Sequence, residues 1–90
     1  MPREELKQAS NLLESAASQT TDDERGDRLA DLADQLDSLA TASRGPDHGR
    51  LARFQAALDE IQPAVDDETA TTIESARDEL SAYRETIEGV

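Results

Sequence analysis

Ninety residues with 21 acidic and 9 basic side chains, a formal net charge of -12, no cysteine and two aromatics leave room for one small, thin-cored domain. A chain of this size buries roughly 60–65% of the surface its unfolded form exposes, which excludes a second core. The lack of cysteine excludes a disulfide frame, a thiolate metal site and a cysteine nucleophile.

Apolar residues recur at three- and four-residue steps in four blocks, the pattern that lays one apolar stripe along a helix. The first block holds Leu6, Ala9, Leu13 and Ala16 and predicts a helix over about 2–18. Pro2 suits a first helical turn, and Glu4 and Glu5 complement the positive end of the helix dipole. The second, with Leu29, Leu32, Leu36 and Leu39, predicts a helix over about 22–43. Thr21-x-x-Glu24 has the form of a capping box at its start, near Asp22. Gly26 argues for a later start, nearer Asp27, because glycine inside a helix costs about 1 kcal/mol against alanine.

Arg44 falls in the last turn of this second block. Gly45 follows at a position that often turns left-handed, and Pro46 blocks continuation. Asp47 is placed to cap a third helix over about 47–62, whose stripe is Leu51, Phe54, Leu58 and Ile61 and which Pro63 ends. Ile73, Ala76, Leu80, Tyr83 and Ile87 mark a fourth over about 67–88, capped by Asp66 or Asp67, with Gly89 just past its end. No stretch alternates in the manner of a half-buried strand.

Short connections between four amphipathic helices predict an all-α fold: one domain spanning 1–90, a small antiparallel bundle of two helical hairpins with coiled-coil-like packing. Leu12, Ala17, Ala30, Ala33, Ala40 and Ala57 widen the stripes into a second apolar face. A thin monomer core with apolar surface to spare points to association, with a second copy as the first expected partner and another protein as the next.

The stretch "SRGPDHGRLARF", residues 43–54, concentrates three arginines and the single histidine in an otherwise acidic chain. Helix-end chemistry accounts for Gly45, Pro46 and Asp47, leaving Arg44, His48, Arg50 and Arg53 as candidate contacts for a partner or an anion. Guanidinium forks grip phosphate, and a helix N-terminus adds positive partial charge. Salt bridges to carboxylates of a neighbouring helix or subunit are the favoured alternative. Asp47 itself occupies the helix end an anion needs, and three arginines without a lysine cluster argue against nucleic acid.

His48 as a general base or metal ligand lacks companions: there is no second histidine, and no H-x-x-x-H or E-x-x-H pair. The acidic runs at 22–24 and 66–68 lack the glycine-turned spacing of an EF-hand and suit helix starts. No nucleophile elbow and no glycine-rich phosphate loop occur. The expectation is therefore a non-enzymatic protein without cofactor, metal or evident small-molecule substrate.

The charged start "MPREELKQAS" and the lack of a long apolar run predict no signal peptide and no membrane span, hence a cytoplasmic protein. Eight of nine basic residues are arginine, with Lys7 the single lysine, on a carboxylate-rich surface. Such a surface suits a salt-rich interior, where the Debye length shrinks to about 3 Å at 1 M. The segments "MPREELKQASNLLESA", "RGPDHGRLARFQAALDEI" and "AYRETIEGV" resemble a family of short haloarchaeal proteins sharing the RGPDHGRLAR motif and the YRETIEGV tail. That resemblance spans nearly the whole chain and implies salt adaptation. It brings no activity, cofactor or site residue with it.

Overall fold

A computed structural model describes residues 3–87; the expected roles of Pro2 and Gly89 lie outside them. Four helices follow one another: α1 (Glu4–Gln19), α2 (Asp23–Thr41), α3 (His48–Ile61) and α4 (Asp67–Thr86), with a 3-10 turn at Gln62–Ala64 between α3 and α4. There is no strand among the described residues. The stripes predicted for the four blocks form one core: Leu6, Leu13, Leu29, Leu36, Leu51, Leu58, Ile61, Ile73 and Leu80 are all essentially inaccessible.

Side-chain size explains how closely the helices approach. The α1 stripe alternates leucine with alanine and includes the buried Ser10, so α1 packs tightly along both α2 and α4. Ser10 Oγ donates to the Ala33 carbonyl of α2 at 2.7 Å, which satisfies a polar group at this contact. The α3 stripe is bulkier, with Phe54 among its leucines, and α3 stands further off, meeting α4 loosely and α2 more loosely still.

Several helix ends differ from expectation. Asp22, not Thr21, is the N-cap of α2, accepting from the Arg25 N–H at 3.0 Å, and Glu24 lies inside the first turn with no reciprocal role. An aspartate one residue later offers a stronger, charged acceptor at the same end. Gly26 is helical and faces the end of α1, where a Cβ would sit 3.3 Å from the Ala17 carbonyl. α2 stops at Thr41 with Ala42 as its C-cap, so Arg44 lies beyond the helix in an exposed loop. Gly45 is not left-handed; Arg3 Nε and Tyr83 Oη each lie 2.6 Å from where a Cβ would be, so a larger residue would require those side chains to shift. Asp47 and Asp66 cap α3 and α4 as expected, accepting from the Arg50 N–H at 2.8 Å and the Thr69 N–H at 3.2 Å.

The residues that widened the stripes also belong to the monomer. Ala33 and Ala40 are in the core, and Leu12, Ala17 and Ala57 pack against it. Apart from Ala30, they form no separate apolar face, because helices drawn together by small residues enclose a broader band of each surface.

Candidate functional site

The two sides of α3 are closed unequally. On the α4 side, Arg77 Nε donates to Gln55 Oε1 at 2.9 Å and Arg77 Nη1 to Gln62 Oε1 at 2.8 Å, with Asp59 3.3 Å away. The two glutamines reciprocate: Gln55 Nε2 donates to the Arg77 carbonyl at 3.1 Å, and Gln62 Nε2 to Glu74 Oε1 at 2.9 Å. This network holds α3 to α4 where apolar packing is loose. Patterning gives no hint of it, since glutamine and arginine on a helix look like solvated positions.

On the α2 side, among the described residues, one exposed ion pair spans the helices, Arg28 to Glu60 at 3.5 Å. Beyond it a cleft of about 220 Å³ opens, lined by Leu32, Gln35, Arg50, Arg53 and Phe54. Its floor is apolar, with Leu32 at 9% and Phe54 at 4% exposure, and its α3 rim is the exposed pair Arg50 and Arg53. On the α2 rim, Gln35 Nε2 donates to Asp31 Oδ2 at 3.1 Å.

The four candidate contacts therefore do not converge. Arg50 and Arg53 share the cleft. His48, the first residue of α3, turns toward α4 and accepts a hydrogen bond at Nδ1 from Arg84 Nε at 3.2 Å. Arg44 sits exposed in the α2–α3 loop. Among the described residues, Arg44, Arg50 and Arg53 make no ion pair; Lys7, Arg25, Arg28 and Arg77 make the ion pairs found there. No group of three or more histidine or carboxylate side chains among the described residues is arranged to hold a metal.

Three groups have displaced acidities. Hydrogen bonding to Asp37, with its charge, raises Lys7 above the usual lysine value. The Arg25 N–H, followed by its side chain, lowers Asp22, and the Thr69 hydroxyl and N–H lower Asp66. All three belong to helix caps or surface pairs, away from the cleft. No helix among the described residues is long and apolar enough to cross a membrane.

Fold and site together define a small all-α bundle with an arginine-rimmed cleft between α2 and α3. Residues 1–86 match the Family of unknown function (DUF7553), and the chain belongs to that family. Comparison with curated proteins gives no match, and comparison with solved structures gives none either.

Proposed function

We propose that the chain is a non-enzymatic helical association module of a salt-adapted cytoplasm, and that it engages another protein chain through the α2–α3 side of the bundle. The observation that carries this reading is the pair Arg50 and Arg53, exposed and without ion pairs among the described residues, above the apolar floor of Leu32 and Phe54. In a chain of net charge -12, two guanidinium groups left without carboxylates beside an apolar recess suit a partner that brings both acidic and apolar groups. Phosphate recognition has less support, because His48 and Arg44 lie apart from the two arginines and Asp31 stands on the opposite rim.

Capture of the tagged chain from its own lysate at molar salt, beside the Arg50→Glu, Arg53→Glu variant, tests the reading. A protein retained by the wild type, lost from the variant and bound again in purified form is the expected result. Nucleic acid in its place, or identical eluates from both variants, overturns it.

A further inference from the structure

We infer that the occupant of this side is a second copy of the same chain, related by a two-fold axis running along the helices that lays α3 of each copy over α2 of the other. The inference rests on the association reading above and names its partner. It starts from the charge on the two halves of one face. Beside the cleft, the α3 half is cationic through Arg50 and Arg53. The α2 half is acidic: Asp31 borders the cleft through Gln35, and Asp34, three residues further on, lies on the same side of the helix. Both carboxylates are exposed, and neither is paired with a cation among the described residues.

Beside the cleft the two halves of this face are opposite in charge, and further along it Arg28 of α2 pairs with Glu60 of α3. A two-fold along the helices sets each arginine pair against the partner's α2 carboxylates, twice over. The two clefts then face one another at the centre of the contact, with the charged pairs beside them.

Each copy carries a net charge of -12, so two copies repel at long range while their contact pairs attract. Salt removes the long-range repulsion first, as the Debye length falls from about 10 Å at 0.1 M to about 3 Å at 1 M, and desolvated contacts are screened less. Self-association therefore strengthens with salt. Phosphate binding through the same arginines weakens with it.

The test is sedimentation equilibrium of the purified chain from about 0.1 M to about 3 M potassium chloride. A dimer whose association constant rises at least about tenfold over that range is expected. Arg50→Glu, Arg53→Glu and Asp31→Arg, Asp34→Arg are each expected to be monomeric at the highest salt, with helical circular dichroism verifying that both fold. Mixed one to one, they restore both sets of opposite charges and carry the same total charge as two wild-type copies, so the mixture is expected to dimerise. A monomer at every salt, a dimer indifferent to both variants, association that falls with salt, or a mixture that stays monomeric overturns the inference. If the purified chain is monomeric while lysate capture returns a different protein lost from the arginine variant, self-pairing falls and the association reading stands. If both experiments are blank, both fall.

Discussion

Arg3 reaches across the bundle to Ala42, donating from Nη1 to its carbonyl at 2.7 Å, and the same nitrogen donates to the Leu39 carbonyl at 3.0 Å. The Arg3 backbone N–H meets the Ala40 carbonyl at 2.8 Å. One residue ahead of α1 thus satisfies carbonyls that the end of α2 leaves free, and its positive charge suits the negative end of that helix's dipole.

Replacing Arg3 with alanine is expected to lower stability by about 1–2 kcal/mol, since charge-assisted bonds to part-buried carbonyls are lost. Arg3→Lys recovers a fraction, because an ammonium on a flexible stem does not reproduce the fork of donors. Lys7→Ala, which removes an exposed ion pair to Asp37, leaves thermal unfolding at molar salt nearly unchanged. Equal losses for Arg3→Ala and Lys7→Ala would contradict the capping role.

Ala76 is fully buried in the α4 stripe, on a helix that α1 approaches closely. Ala76→Leu is expected to cost about 1–3 kcal/mol by forcing the helices apart. Ala52→Leu, on the exposed side of α3, is expected to stay within about 0.5 kcal/mol. Denaturant unfolding of the two variants separates close packing from a general intolerance of bulk.

The lowered pKa values of Asp22 and Asp66 set a pH dependence. Each binds its proton less readily folded than unfolded, so each contributes stability that is fully present above the ordinary aspartate range. That contribution is lost as pH falls through the depressed folded value. The difference in stability between the wild type and the Asp22→Asn, Asp66→Asn variant is therefore expected to shrink as pH drops below about 4. A difference constant from neutral pH to strong acid would show that the two carboxylates do not act through ionised caps.

With 21 carboxylates on a small bundle, self-repulsion is expected to weaken the fold as salt falls below about 1 M. The thermal midpoint followed by circular dichroism is expected to climb with salt, and more steeply for Arg50→Glu, Arg53→Glu, which adds negative charge. A midpoint independent of salt down to the millimolar range would contradict this.

The helices, their order and their buried stripes were readable from spacing, because an amphipathic period of three and four residues has one economical solution in water. So were Asp47 and Asp66, whose capping needs only the backbone donors of the next three residues. Thr21 and Gly45 were misplaced for opposite reasons. At α2 two adjacent residues could both cap, and the motif alone favoured the wrong one. At Gly45 the constraint comes from Arg3 and Tyr83, distant in sequence and adjacent in space.

The basic stretch divides in the same way. Sequence alone determined that residues 43–54 stop one helix, start the next and gather three arginines in an acidic chain, all consequences of local backbone chemistry and composition. Only the tertiary structure decided that His48 turns to Arg84, that Arg44 stands apart, and that Arg50 and Arg53 edge a cleft. That cleft lies where α2 and α3 meet sparsely, while the leucine–alanine stripe of α1 packs closely along α2 and α4. Distances between helices are set by the side chains of both partners at once, and a periodicity read along one helix carries no information about the other.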